Sequence, residues 1–214
     1  MRPRKQVSLP RGGRRAAIVA VAADLFAAKP YDEIFISDIA EAAGVAHGLL
    51  FYHFKDKRGL YLEVLKQVLS EAVALHEARP DETTKAQRLK GAIHRQIEYR
   101  RDHAQTSLVL MRPAGADPDI DAIFEQARRS GAEFLLQLLD IGSNEVDPTV
   151  RATIRGCMGL TDEMVIDWLN HGCDLPIEQL VDLSYTTTIA VLSSIAADYP
   201  TVRSGVRKLR TGRR

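Results

Sequence analysis

Apolar residues recur along most of the chain at the spacing of an α-helix. Ile18, Ala22, Leu25 and Phe26 share one face of the first such segment, as expected for an amphipathic helix that packs on a core. Pro30 ends this helix, because a proline pushes the preceding residue out of the helical conformation. Alternation with the two-residue period of a strand is nearly absent, so the pattern predicts an all-α fold.

Two short helices are predicted next, at residues 37–43 and 46–53. Gly44 stands between them, and glycine is a common helix stop because it adopts the left-handed conformation without strain. A longer fourth helix follows, with apolar positions from Leu60 to Ala72. This arrangement of short, closely connected helices is typical of a small bundle.

The second half of the chain predicts five more helices. Their apolar stripes cover residues 89–97, 106–111, 120–138, 150–169 and 177–195. The last two begin after Pro148 and Pro176, and proline is favoured in the first turn of a helix. We therefore expect about nine helices in two bundles. The chain would divide into a basic arm at 1–13, a first domain at 14–58, a larger second domain at 59–200 and a basic tail at 201–214.

Basic residues are concentrated at the two ends. Residues 1–15 hold six bases and no acid, and residues 203–214 hold another six. The chain between them has 17 bases and 28 acids, a net charge of −11 that the overall charge of +1 hides. Basic ends on an acidic body indicate a polyanionic partner approached by the ends, although such tails also serve solubility.

The composition is that of a folded globular chain. Of the 214 residues, 45% are hydrophobic and 27% are charged, which excludes a disordered protein. No apolar run has the roughly 20 residues that cross a bilayer, and the basic start lacks the apolar stretch of a secretory signal. Cys157 and Cys173 are too few for a disulfide framework and lack the spacing of metal ligands. We therefore expect a cytoplasmic protein with no membrane partner, metal or cofactor.

The segment from Ser37 to Phe54 carries the most specific signal. Two short helices joined by a tight glycine turn form a helix-turn-helix. Val45 and Leu50 are expected to point inward and to set the angle between the helices. The outward side of the second helix, which enters a major groove in DNA-binding proteins, consists of His47, Gly48, Leu49, Phe51 and Tyr52. The same motif also occurs as a plain packing element, so the spacing favours DNA binding without requiring it.

Cations follow this motif at the start of the fourth helix. Helix N-termini expose free N–H groups and the positive end of the helix dipole, which suit phosphates. Lys55 and Lys57 add charge there, and we expect Lys57 to be the main phosphate contact rather than part of a solvated charge run. Tyr52 and His53 offer further donors, or one of them packs the joint with Phe54. The arginines of the basic arm would enter the minor groove or bind DNA without sequence preference.

Three stretches together resemble the TetR family of bacterial transcriptional repressors. They are residues 22–28 (AADLFAA), 39–45 (IAEAAGV) and 48–57 (GLLFYHFKDK), and their order and spacing match the family from about Arg14 to Leu65. The resemblance implies a nine-helix homodimer, joined through its last two long helices, with a ligand pocket in the second domain. It also implies that binding of a small molecule spreads the two DNA-binding heads and releases an operator.

Some positions depart from the usual family pattern. Ala46 and Leu49 stand where a hydroxyl residue is frequent, and Phe51 stands where a tyrosine is frequent. These side chains make only apolar contacts, such as Leu49 against a thymine methyl. Ile36 replaces a frequent capping threonine, which leaves Ser37 as the expected cap of the second helix. The expected DNA-binding residues are Ser37, Ala46, His47, Gly48, Leu49, Phe51, Tyr52, His53, Lys55 and Lys57.

An effector pocket needs apolar walls and a few polar anchors. By analogy with the family, its candidates lie on the helices between the DNA-binding head and the dimer bundle, although each also suits an ordinary core or surface role. They are Tyr99, His103, Met111, Phe124, Arg128, Asp162 and Trp168.

Gly156 and Gly159 lie within a predicted helix, where each glycine costs about 1 kcal/mol relative to alanine. Close approach of another backbone or a ligand would account for them, and simple tolerance of the helix is the alternative. Together with the small residues of the last predicted helix, they suggest a four-helix dimer interface.

Two other functions stay open on the sequence alone. The second domain could serve dimerisation or protein interaction without a ligand, in which case side chains would fill its interior. An all-α enzyme is the more remote alternative, since His94, Glu98 and Asp102 share a helix face but no second pair supports a metal site. The sequence favours a repressor, not an enzyme, that binds double-stranded operator DNA as a homodimer and responds to a small-molecule effector.

Overall fold

A computed structural model describes residues 13–111, 117–142 and 146–211 of the chain. These residues form ten α-helices and one 3₁₀ turn, with no strand among them. The elements are α1 (Gly13–Ala28), the 3₁₀ turn (Tyr31–Glu33), α2 (Ile36–Ala43), α3 (His47–Phe54), α4 (Lys57–Ala74), α5 (Lys85–Asp102), α6 (Ala104–Met111), α7 (Pro118–Leu139), α8 (Pro148–Asn170), α9 (Ile177–Ser194) and α10 (Pro200–Thr211). The all-α prediction is confirmed, and the tenth helix is an addition to the nine expected.

The chain divides into two compact units, with the division between Val68 and Leu69. In the first unit, α1 to α3 and the start of α4 enclose a small apolar core. Its fully buried members come from all four helices and include Ile18, Ala22, Ile39, Leu50, Leu60 and Val64. Burial of these side chains fixes the short helices, which would be marginal in isolation.

A glycine turn joins α2 to α3. Gly44 has φ = 64°, a left-handed conformation that glycine adopts at little cost. Its N–H donates to the carbonyl of Glu41 at 3.1 Å, and the N–H of Val45 donates to that of Ala40 at 3.0 Å. These bonds satisfy backbone groups at the end of α2 and allow α3 to begin at His47, three residues after Gly44.

The predicted cap of α2 is wrong. Phe35 precedes the helix, and its N–H donates to Oδ2 of Asp38 at 2.9 Å. Ser37 lies inside the first turn with its side chain exposed. Asp38, at the third helical position, therefore accepts the hydrogen bond at this end of the helix, and Ser37 is not the cap.

The second unit is a larger bundle formed by α5 to α10. Its main apolar cluster draws on α5, α7, α8, α9 and α10, with Leu138, Ile154 and Leu192 fully enclosed. A smaller cluster surrounds Val165 and Trp168. The two long helices α8 and α9 pack on each other over much of their length.

The described part of the predicted basic tail, residues 201–211, belongs to helix α10, so it is part of the folded second unit. Val202, Val206 and Leu209 of α10 are buried against the bundle. Two of its cations bind the ends of other helices. Lys208 Nζ lies 2.8 Å from the carboxylate of Asp140, the residue that caps α7. Arg203 donates to main-chain carbonyls just after the end of α9. Cations are favourable at helix C-termini because of the helix dipole, so much of this charge supports the fold.

Candidate functional site

The outward face of α3 is the most exposed aromatic surface of the first unit. The side chain of Tyr52 is 82% exposed and that of Phe51 is 45% exposed, whereas Leu50 and Phe54 of the same helix are buried. The ring of His47 packs edge-on against Phe51, with 5.1 Å between the centroids. The helix is thus anchored on one side and presents rings and an imidazole on the other.

The rest of the predicted DNA-binding set lies around this face. Ser37, Ala46, Gly48 and Lys55 are exposed, while Leu49 and His53 are half-buried. The ring of His53 contacts those of both Tyr52 and Phe54, at centroid distances of 5.1 and 5.9 Å. Both roles foreseen for His53, a donor and a packing residue, are compatible with this position.

Lys57 has a different environment from the one its sequence position suggests. Its ammonium group donates to the main-chain carbonyls of Tyr31 and Ile34, both at 2.8 Å. It also lies 3.9 Å from the centroid of the Tyr31 ring, a favourable cation–π distance. Lys57 therefore ties the start of α4 to the 3₁₀ turn, and two of its three donors are used within the unit.

Arg15, the last residue of the predicted basic N-terminal region, is also used within the fold. It forms an ion pair with Glu63 and lies over the ring of Phe54, 5.1 Å from its centroid. The hydrogen bonds from Arg15 and Lys66 hold the pKa of the Glu63 carboxyl below its usual range. The remainder of the predicted arm, except Gly13 and Arg14, lies outside the described residues.

The second unit contains a cavity of about 140 Å³. Its walls are mainly apolar and are contributed by five helices, α4, α5, α7, α8 and α9; they include Leu69, Ala92, Ile93, Phe134 and Met158. A polar wall interrupts this lining and includes His76, Gln96, Arg100 and Asp162. Side chains therefore do not completely fill this part of the unit.

An ion-pair group forms part of the polar wall. Asp162 accepts from Arg100 at 3.1 Å through one oxygen and from Arg128 at 2.8 Å through the other. These side chains are only 9%, 21% and 12% exposed, respectively. The group connects α5, α7 and α8 around the cavity.

His76 lies beside this group and is stacked on Phe134 at 4.5 Å between ring centroids. Burial, and then the charges of Arg100 and Arg95, lower the pKa of His76 to about 4. The nitrogen of the Gln96 amide lies 2.6 Å from the carbonyl of Ala72 and 3.3 Å from Nε2 of His76. The imidazole is therefore neutral near pH 7, with Nε2 as the acceptor.

Comparison with known proteins agrees with the helix-turn-helix. The sequence profile of the bacterial regulatory proteins of the tetR family matches residues 18–64. The chain is 25% identical to the HTH-type transcriptional activator FasR of Mycolicibacterium smegmatis, over 80% of this chain and 78% of FasR. It is 32% identical to the HTH-type transcriptional regulator RutR of Escherichia coli, over 44% of each chain.

A solved structure has the same fold. The crystal structure of a tetR-family transcriptional regulator from Streptomyces coelicolor superposes with a TM-score of 0.82, covering 95% of this chain and 91% of that one at 24% identity. The chain belongs to the TetR family. It is a transcriptional regulator with a helix-turn-helix DNA-binding domain.

For this TetR-family regulator, the residues predicted to hold an effector are only partly brought together. Of that set, Asp162 lines the cavity and Arg128 reaches it through Asp162. Tyr99 donates to Glu71 at 2.6 Å and stacks on His103. Phe124 packs under Arg128 and Trp168 is buried in the smaller cluster. The side chain of Met111 lies outside the described residues.

Sequence reasoning missed Arg100, His76 and Gln96. A signal for Arg100 was available, because it follows Ile93 and Ile97 at helical spacing and so continues their inward stripe. His76 had no comparable signal, since it lies beyond the end of α4.

The alternative metal site on α5 has a different geometry. Nδ1 of His94 lies 3.2 Å from Glu98, but Asp102 pairs with Arg101. Within the described part of the chain, no three His, Cys, Asp or Glu residues are grouped as metal ligands would be. None of the described helices has the length and apolar character that a membrane crossing requires.

Proposed function

We propose that this TetR-family regulator is a repressor that binds operator DNA as a homodimer and changes its DNA affinity when a small molecule occupies the cavity of the second unit. The observation that carries the proposal is the exposed face of α3 within a helix-turn-helix. Two large aromatic residues on a helix of eight residues leave apolar area in water, which a partner surface would cover. A major groove has the width to accept such a helix.

The side chains of this face have distinct roles in the proposal. His47 and Tyr52 supply donors to base edges or phosphates, and Gly48 allows close approach of the helix to the groove. Leu49 and Phe51 contact thymine methyl groups. Lys55 contacts a phosphate, because its side chain is exposed at the end of α3. Lys57 instead positions α4 through the two carbonyls described above.

Dimerisation is proposed through the outer faces of α8 and α9. Gly156 and Gly159 of α8 have no atom within 4 Å of the position that a Cβ would occupy, so the protomer itself does not require glycine there. The same faces expose Leu160 and Leu183. Small residues beside exposed leucines fit a helix pair that packs against its copy at close range.

Effector control is proposed because the second unit contains a cavity with apolar walls and a polar wall. This combination is typical of small-molecule sites. A ligand that binds one conformation of the bundle better than another shifts the balance between them. An operator-bound dimer blocks transcription simply by occupying DNA, so repression needs no further surface. Activation is the second candidate, favoured by the name of the relative FasR.

The decisive experiment measures DNA binding by the full chain, using fluorescence anisotropy with DNA from upstream of its own gene. We expect salt-sensitive, sequence-selective binding that His47→Ala and Tyr52→Ala each weaken by about tenfold. His94→Ala is the control, because it removes a partly exposed imidazole that lies on α5 in the second unit. Binding without sequence selectivity, or equal effects of His47→Ala and His94→Ala, would contradict the proposed interface.

The sign of regulation needs a separate measurement. In a transcription assay with purified polymerase, a repressor lowers the transcript from its own promoter in proportion to operator occupancy. A rise in transcript at the same occupancy would select the activator alternative.

A further inference from the structure

The charge of the polar wall restricts what the cavity can bind. One carboxylate, that of Asp162, is shared by two guanidinium groups, those of Arg100 and Arg128. The group of three therefore carries a net charge of +1. Each of these side chains is more than three-quarters buried, so water screens this charge less than it would at the surface.

The other ionisable groups around this wall do not cancel the charge. His76 is neutral near pH 7. Arg95 forms its own buried ion pair with Glu82, a pair without net charge. Glu71 accepts a hydrogen bond from Tyr99 at 2.6 Å and is not part of the cavity lining. Among the described residues, Arg100 is the cation that lines the cavity and also shares its counter-ion, Asp162, with a second guanidinium.

The size of the cavity sets the size of the occupant. An apolar cavity of about 150 Å³ holds one benzene ring, and this cavity measures about 140 Å³. The cavity is partly open to solvent, so this volume limits the enclosed part of an occupant to a single ring or a chain of about six carbons. The remaining walls, such as Ile93, Phe134 and Met158, favour an apolar body because burial of apolar surface is the main source of affinity.

We infer that the cavity binds a compact organic carboxylate, with its apolar body among Ile93, Phe134 and Met158 and its carboxylate paired with Arg100. This inference rests on the proposed effector function and names the chemical class of the effector. The carboxylate would compete with Asp162 for Arg100, which would loosen the connection of α5 to α8 while Arg128 keeps α7 bound to Asp162.

The test uses the full chain and isothermal titration calorimetry with sodium benzoate and sodium hexanoate. Benzamide and hexanamide are the matched neutral probes, and benzylamine is the cationic one. We expect at least one carboxylate to bind at least tenfold more tightly than its amide, because charge-assisted hydrogen bonds are the stronger ones. Benzylamine is not expected to bind.

Variants at the polar wall test the pairing. Arg100→Gln should lower carboxylate affinity about tenfold or more and leave amide affinity within about threefold. Arg101→Gln removes the neighbouring guanidinium, which is exposed and paired with Asp102, and should change neither. Asp162→Asn should raise carboxylate affinity, because it removes the competing charge. A circular dichroism melt of each variant checks folding, and Arg100→Lys, which keeps the charge, should retain most of the affinity if Arg100→Gln is unstable.

Several results would overturn the inference. They are no binding of either carboxylate, equal affinity for carboxylate and amide, and carboxylate affinity that Arg100→Gln does not change. The DNA titration described above is run in parallel without any probe. Selective DNA binding with no carboxylate preference refutes the ligand class alone, whereas absence of selective DNA binding refutes the proposed function whichever probe binds.

Discussion

At the scale of single residues, position in the sequence and position in space assign different roles to Lys57. Sequence spacing places a cation at a helix start after the helix-turn-helix, where phosphate contact is expected. The fold directs the same ammonium to two carbonyl oxygens and an aromatic ring. No local pattern predicts this contact, because Tyr31 and Ile34 lie more than 20 residues earlier in the chain.

Lys57→Met should therefore lower the free energy of unfolding by about 1–3 kcal/mol, since it leaves two carbonyls without their charged donor. Urea unfolding followed by circular dichroism measures this change. Lys55→Met is the matched control, and it should leave stability within about 0.5 kcal/mol while reducing the salt dependence of DNA binding by about one phosphate contact. If the stability of Lys57→Met were unchanged, the phosphate contact expected from the sequence would be the better interpretation of Lys57.

His76 predicts a pH dependence of stability. Its pKa in the folded chain is about 4, below the ordinary value of 6.5, so the unfolded chain binds more protons between these values. Stability from the neutral buried ring is therefore fully present above about pH 6.5 and is lost as the pH falls toward 4. The loss should reach on the order of 2–3 kcal/mol.

The measurement compares urea unfolding of the native chain and of His76→Gln at pH 7.5 and pH 4.5. Both chains lose stability in acid as carboxylates are protonated, and the native chain should lose more. His94→Gln, which removes a partly exposed imidazole on α5, should follow the native chain. Equal acid losses in the native chain and His76→Gln would mean that the ring is already protonated or solvated in the folded state.

At the scale of helices, apolar periodicity alone predicted most of the architecture. The stripes of α1, α7 and α9 correspond to buried faces because each is long enough to repeat its period several times. The last helix was not predicted, because the basic charge of this segment indicates a tail although the segment also contains Val202, Val206 and Leu209. Those residues have spacings of four and three, which are typical of the inward face of a helix.

Gly205 tests how closely α10 packs. A Cβ at this position would lie 2.6 Å from Cδ2 and 2.8 Å from Cα of Leu139 on α7, so a backbone would have to move. We expect Gly205→Ala to destabilise the chain by about 1–2 kcal/mol, because the packing cost exceeds the gain in helix propensity of about 1 kcal/mol. Thermal unfolding measures the shift, with Ser204→Ala as the control. A higher melting temperature for Gly205→Ala would show that α10 does not approach α7 this closely.

At the scale of the whole molecule, the residues that line the cavity could not be predicted from the sequence alone. Its lining comes from residues as far apart as Leu69 and Thr188, and the register of each helix against the others decides which side chains meet. Asp162 was predicted and lies there, whereas Trp168, six residues later on the same helix, is buried in a separate cluster. This difference depends on how the helix is rotated about its axis. Apolar periodicity identifies the buried face of a helix but does not determine which neighbour each residue of that face contacts.

Assembly provides the last prediction, because a symmetric operator requires two recognition helices at a fixed spacing. If α8 and α9 form the interface, Leu183→Glu places a charge opposite its own copy and should weaken self-association at least tenfold. Light scattering at micromolar concentration would then give the mass of one chain. Phe35→Glu, which adds the same charge at an exposed apolar residue of the first unit, should stay dimeric.

The same variant links assembly to DNA. A monomer contacts one half-site, so Leu183→Glu should lose most of its operator affinity although every residue of the α3 face is intact. Raising its concentration should restore binding only where the dimer re-forms, and the anisotropy curve should steepen accordingly. Operator affinity equal to that of the native chain, at concentrations where light scattering finds a monomer, would show that one α3 is sufficient for operator binding and that the dimer is not needed for it.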